Sequence, residues 1–297
     1  MAGIVLAGIA LAAFLLAPSG LPAAPSTAEP PAATAAKTAH YPALVPDAPP
    51  RRVVSINLCT DQLAMLLAAP GQLISVSQLA QDPLVSLMSA QAGAMHSNHA
   101  RAEEIYLLQP DLVLAGSYSD GATLDMLRRL GIRVETLPPA NSLEDVREGL
   151  ARIGDLLHRQ AQVQAMIAGF DADLAAIRQP DMAQLAASFD ANSYSAGANT
   201  LAGDVMRAAG WELVPDRLGR DGGGPLPLEL LIIAAPDLIV TGTRYAHPSR
   251  AEEILDHPAL RNLTAARRSV PDRDWICGLP QIAATTAGLA APLKAQP

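Results

Sequence analysis

The sequence predicts an α/β protein: two parallel-sheet, Rossmann-like lobes joined by a long backbone α-helix, with a ligand cleft between the lobes. Three observations lead there. Short β-branched runs alternate with helical patterns in both halves of the chain, about 37 residues between them keep helical periodicity, and a 14-residue segment of the first half recurs without a gap in the second. With 297 residues, half of them hydrophobic, there is enough material for two modest cores.

At the start, MAGIVLAGIALAAFLLAPSG is a run of small and apolar residues, and residues 1–28 read as a signal peptide for a periplasmic protein. The apolar run is preceded by no Lys or Arg, so an uncleaved N-terminal anchor stays open beside cleavage. Residues 29–50, rich in Ala, Pro and Thr, have the composition of a tether.

Residues 51–141 form the N-terminal α/β lobe. RVVSINL reads as a buried strand and TDQLAMLLAA as a helix capped by Thr60 or Asp61. LISVS is a second strand, Gln78 to Ala100 a polar loop, AEEIYLL a short helix and DLVLAG a third strand. GATLDMLRRLG is a helix closed by Gly131, and IRVETL is the strand after it. Residues 142–180 are the connection, opened by Ser142 as cap with Asp145 three residues on. Unbroken, such a helix is about 55 Å long, enough to cross between lobes. Residues 181–297 form the C-terminal lobe: LAASFD as a strand, TLAGDVMRAAG as a helix, a Gly-rich loop, LELLIIAA as a helix, DLIVTG as a strand and a last apolar helix.

The repeat pairs Glu103–Gly116 with Glu229–Gly242, identical at five positions and apolar at most of the rest. Each copy is a helix ended by Pro110 or Pro236, then an Asp that starts a buried strand. Both strands run into loops at the carboxyl edge of a sheet, where ligands bind in open α/β folds. The cleft is therefore expected between Ser117-Tyr118 and Thr243-Arg244-Tyr245.

A net charge of -8, with 17% charged residues, leaves no footprint for gripping nucleic acid. There is no G-x-S-x-G, no H-E-x-x-H, no P-loop and no G-x-G-x-x-G after a strand, so the chain reads as a binder and not an enzyme, with no cofactor.

RRVVSINLCTDQLAMLLA, RAEEIYLLQPDLVLAG, the stretch Ser142 to Arg178 and PLELLIIAAPDLIVTG, in that order, resemble the iron-siderophore and cobalamin class of periplasmic substrate-binding proteins of ABC transporters. The resemblance implies a monomer that holds a metal chelate (cobalamin, haem or a ferric siderophore) between two lobes, moves little on binding, and delivers it to a membrane permease driven by a separate ATPase. It also implies that Glu103 and Glu229, equivalent in the repeat, dock on the permease; as plain first-turn acids they equally suit the helix dipole.

Ligand-binding candidates are the loop residues Asn57, Cys59, Ser77, Gln78, His96, His99, Ser117, Tyr118, Tyr194, Arg244, Tyr245 and Trp275. Trp275 suits stacking on a flat chelate or sealing the lobe core. His96 and His99 are spaced to share a metal ion, or are two histidines of a polar loop. Cys59 and Cys277, one per lobe, leave three readings open: a disulfide that limits opening, a soft-metal pair, or two buried thiols. The rival functions are a free transition-metal-ion binding protein and a metal-dependent hydrolase.

Overall fold

In the first lobe the chain runs β1 (Val53–Ser55), α1 (Leu58–Leu67), β2 (Leu73–Ser77), a 3-10 turn (Gln78–Gln81), α2 (Ser89–Ala92), β3 (Ser97–Asn98), α3 (Ala102–Leu107), β4 (Leu112–Gly116), α4 (Gly121–Arg129) and β5 (Val134–Leu137). The computed structural model describes residues 48–179, 184–244 and 249–293. All of these lie in the second of two units, Met1–Leu44 and Val45–Pro297. The expected signal peptide, most of the tether and Tyr245 fall outside the described residues. None of the described helices is long and apolar enough to cross a membrane.

The five strands are parallel, in the order β3-β2-β1-β4-β5. Period-two alternation sends Leu112 and Leu114 of β4 to one face and Val113 and Ala115 to the other. The outer face is covered by Ile105 of α3 and Leu127 of α4.

The connection departs from expectation. The Ser142 hydroxyl does accept the Asp145 N–H at 3.1 Å, opening α5 (Leu143–Leu157) as the capping pattern predicts. The chain then breaks at His158, which takes a left-handed conformation at φ 58°, and restarts as α6 (Gln160–Ala175). The single long helix is thus corrected to a helical hairpin. Gly154 abuts Val163 on either side of the break, and Arg147 Nε reaches Asp171 Oδ1 at 2.7 Å a further two turns out. A second pull on the turn comes from α1, whose last carbonyls have no partner within the helix. Arg159 Nε donates to Leu67 O at 3.0 Å and Gln162 Nε2 to Leu66 O at 3.0 Å.

The second lobe contains β6 (Gln184–Ser188), β7 (Tyr194–Ser195), α7 (Leu201–Ala208), β8 (Trp211–Leu213), α8 (Val214–Arg217), β9 (Gly224–Pro225), α9 (Leu228–Ala234), β10 (Leu238–Thr241), α10 (Pro258–Arg261), β11 (Ala266–Ser269) and α11 (Ile282–Ala290). Its sheet is parallel, β11-β10-β6-β8, with β7 and β9 as a small antiparallel ribbon. Its outer face is closed by Leu231 of α9 and Leu260 of α10 over Ile239 and Phe189.

The inner faces of both sheets share one core. Leu114, Leu150, Leu156, Met206, Leu213 and Leu238 belong to the same buried cluster, with α5 packed on α1 and α6 on α11. A continuous close-packed interior resists shear, so the two lobes are coupled by packing as well as by chain. Polar ties add to this: Asp204 of α7 accepts the Leu143 N–H at 2.8 Å, and Arg273 donates to Pro83 O at 3.0 Å.

The repeat is visible as paired geometry. Gln109 and Ala235, each just before the proline, both adopt positive φ, 47° and 46°. Asp111 accepts the Arg51 N–H at 2.7 Å and Asp237 accepts the Leu185 N–H at 2.8 Å, so each Pro-Asp carboxylate holds the start of a neighbouring parallel strand.

Candidate ligand cleft

Two residues past β1, Asn57 caps α1: its Oδ1 accepts the N–H of Cys59 at 3.1 Å and of Thr60 at 3.4 Å. The cap is therefore Asn57, and not Thr60 or Asp61. Both of those turn inward. Asp61 is fully buried and accepts the Ser77 N–H at 3.1 Å and the Ser77 hydroxyl at 2.5 Å. Burial pushes its carboxyl up to about 6, the Ser55 and Ser77 hydrogen bonds opposing that rise. Ser77, expected to face ligand, is instead buried as the partner of this acid, while Gln78 is exposed on the turn that follows.

His96 and His99 flank β3 and are both exposed. His96 Nδ1 lies 3.2 Å from the Ser75 hydroxyl, and the Glu104 carboxylate accepts the His99 N–H at 2.8 Å. Partial burial works to raise the Glu104 pKa, but the His99 N–H and ring outweigh it and leave it lowered. Between the two histidines, buried Asn98 donates to Ser55 O, Val76 O and the Ser75 hydroxyl at 2.9 Å each, stitching three strands together. Among the described residues no three or more His, Cys, Asp and Glu side chains form a metal-sized group.

The carboxyl ends of β1, β4 and β5 surround a recess of about 110 Å³. Its walls are Asn57, Cys59, the segments 116–118 and 137–140, Asp145 and Gly149 of α5, and Ile276 and Gly278 from the second lobe. Gly116 is demanded here, because a Cβ would come within 2.8 Å of the Asn57 amide nitrogen. Ser117 and Tyr118 stand at the mouth, with Tyr118 88% exposed. At Cys59 the wall is tied to the second lobe by a disulfide to Cys277. That bond removes both thiolates from the soft-metal reading.

On the second lobe, Asp190 follows β6 as Asn57 follows β1. Asp190 Oδ1 accepts the Gly242 N–H at 2.6 Å, and Asp272 Oδ1 accepts the Thr243 N–H at 3.2 Å, so two carboxylates grip the end of β10. Burial raises the Asp190 pKa, the Gly242 N–H opposes this, and the nearby Asp272 charge adds to the rise. Arg244, one of the ligand-binding candidates, is paired with Asp256 at 2.9 Å. Tyr194 lies half-exposed on β7 with its hydroxyl against Gly223, outside the recess. Trp275 is a correction: it is 9% exposed and packed in the shared core, since only an interior site removes so large a ring from water. The neighbour it displaces toward the cleft is Ile276, half-exposed in the recess wall.

Asp190 and Asp272 were not foreseen. A signal existed for Asp190: Ser55-Ile56-Asn57 and Ser188-Phe189-Asp190 extend the repeat back to the first strand of each lobe.

Comparisons with known proteins agree on one fold. The family described as periplasmic binding protein matches residues 53–269. A curated "Cobalamin-binding protein" of Halobacterium salinarum is 30% identical over 277 residues, 86% of this chain and 74% of that one. Among solved structures, a possible iron-binding (periplasmic solute-binding) protein from Staphylococcus epidermidis superposes with a TM-score of 0.68 at 18% identity, covering 82% of this chain and 98% of that chain. The periplasmic heme binding protein HutB of Vibrio cholerae gives 0.66 at 18% identity, covering 81% and 99%.

Proposed function

Because the chain belongs to the periplasmic binding protein family, we propose that it is the extracytoplasmic substrate-binding component of an ABC importer and that its ligand is a metal chelate, a corrinoid first. The observation that carries this reading is the meeting of two sheet edges. The carboxyl edge of the first lobe forms a recess closed by Ile276 and Gly278, on the segment that leaves the carboxyl edge of the second. The likeness over most of the chain to a protein named for cobalamin sets the order of ligands to try.

The recess of about 110 Å³ is smaller than the roughly 300–1,000 Å³ of a site that encloses a whole drug-sized ligand. It takes one arm of a bulky chelate, while the flat body lies across the mouth against Tyr118 and Ile276. A shared core and the Cys59–Cys277 bond keep the lobes close to this arrangement, and that disulfide suits an oxidising compartment such as the periplasm. Glu103 and Glu229, both exposed in the first turns of α3 and α9, are the contacts offered to the permease. Helices that run back antiparallel to the strands place these first turns on the cleft-side rim of each lobe.

Titration of the purified chain with cyanocobalamin, haemin and a ferric hydroxamate tests the reading. Trp211 and Trp275 are both buried, so the signal is energy transfer to the chromophore. Saturable quenching by cyanocobalamin is expected. Binding of none of the three, with tight binding of zinc instead, sinks it.

A further inference from the structure

The duplicated segment keeps more than its core. Of its 14 aligned positions, the buried ones stay apolar because the interior requires it. Three exposed positions also keep their character in both copies: Glu103 with Glu229, Leu107 with Ile233, and Asp111 with Asp237. The aspartates are explained by the strand starts they hold. The aliphatic pair has no such duty within the fold.

Leu107 is 79% exposed and Ile233 78%; of the large hydrophobic side chains described, only Tyr118 is barer and the next is 58%. A single exposed aliphatic is ordinary. Two at equivalent places in a duplicated unit, each four residues after the glutamate and so on the same helix face, are not accounted for by chance exposure. Beside Leu107, the side chains of Tyr106, Met126 and Leu130 with Glu103 frame a recess of about 250 Å³ between α3 and α4.

We propose that Leu107 and Ile233 are apolar anchors of the permease-docking face, each inserting into an apolar pocket of the permease one helical turn below the contact made by Glu103 or Glu229. This rests on the docking reading of the two glutamates. A partner that meets both patches with the same chemistry must itself carry two equivalent acceptor sites, as two copies of one permease subunit do. Each acceptor is a cation next to an apolar pocket. The acid supplies orientation and encounter rate, and the desolvated aliphatic supplies the larger part of the affinity.

The test is the affinity of the ligand-free chain for the permease–ATPase complex of the source organism in nanodiscs, by biolayer interferometry. Leu107→Ser and Ile233→Ser are each expected to weaken binding about tenfold and the double variant about a hundredfold, with the melting temperature and ligand titration unchanged. Leu107→Met with Ile233→Leu is expected to restore it. Wild-type affinity in the Ser double variant, while Glu103→Gln with Glu229→Gln binds weakly, overturns the anchors and leaves the docking reading standing. Wild-type affinity in both double variants removes the docking reading and the anchors with it. A dimer of the wild-type chain in sedimentation that the Ser variant dissociates assigns the face to a second copy, and equally overturns the proposal.

Discussion

Asn57 and Asp190 occupy the same place in the two lobes, two residues beyond strands paired in the same register with β4 and β10. Each leans over the glycine that ends the repeat, Gly116 or Gly242. In the first lobe a helix starts at once, and the neutral amide spends its oxygen on that helix's free N–H groups. In the second lobe the chain makes a turn and a ribbon instead, and the carboxylate takes the Gly242 N–H with Asp272 beside it. One lobe thus offers a neutral amide at its strand end and the other an acidic clamp. Identical backbone does not impose an identical edge: the residue just after the strand, and what starts behind it, decides its charge.

The largest expected effect comes from cutting the tie between the edges. Cys59→Ala with Cys277→Ala is expected to cost about 2 to 4 kcal/mol, a fall of roughly 5 to 15 °C in a thermal melt. An unchanged melt places the coupling of the lobes in the shared core alone.

Next is the acid buried in the first lobe. With its folded pKa at about 6, above the ordinary aspartate value of 3.8, Asp61 is protonated more readily in the folded chain than in the unfolded. Its contribution is fully present below about pH 4 and is lost as pH rises through about 6, about 2 to 3 kcal/mol in all. Denaturant melts from pH 3.5 to 7.5 are expected to show that decline, and Asp61→Asn to flatten it. Asp190 is shifted in the same direction, so Asp190→Asn removes the second lobe's share of the slope.

Gly242→Ala and Gly116→Ala set the two edges against each other. A Cβ at Gly242 meets Asp272 Oδ1 at 2.7 Å and Asp190 Oδ1 at 3.2 Å; at Gly116 it meets the Asn57 amide at 2.8 Å. About 1 to 3 kcal/mol is expected for each, measured by urea midpoint. Only Gly116→Ala is expected to disturb the α1 cap as well as the recess, and therefore ligand binding. Tyr118→Ala has the smallest effect: a side chain this exposed leaves stability unchanged, while chelate affinity falls about 2- to 10-fold if its ring stacks on the ligand.

Much of the fold was legible because its signals are local. The runs at Leu73–Ser77, Leu112–Gly116 and Leu238–Thr241 are strands, and the Ser142 cap opens a helix where the pattern placed it. What was missed lacks a local signal. Ala-Arg-Arg-Ser at β11 and Ser-Asn at β3 carry no apolar run and are strands only because a neighbouring strand offers them a ladder. The break at His158 was invisible for a similar reason: no Gly or Pro marks it, and the Leu66 and Leu67 carbonyls that reward the turn come from nearly a hundred residues earlier. In the cleft, Asn57, Cys59, Ser117 and Tyr118 line the recess where the strand ends place them, whereas Ser77 and Trp275 are drawn into the interior.

By itself the sequence determined two lobes, their parallel sheets and the edge on which a ligand site can be built, because periodicity, caps and the repeat are properties of neighbouring residues. Only the tertiary structure decided that Asn57 caps while Asp190 clamps, that Cys59 is bonded to Cys277, and that Ile276 and not Trp275 faces the recess. Those outcomes depend on groups distant in the chain competing for the same hydrogen bonds and the same interior volume, and that competition exists only once the lobes have met.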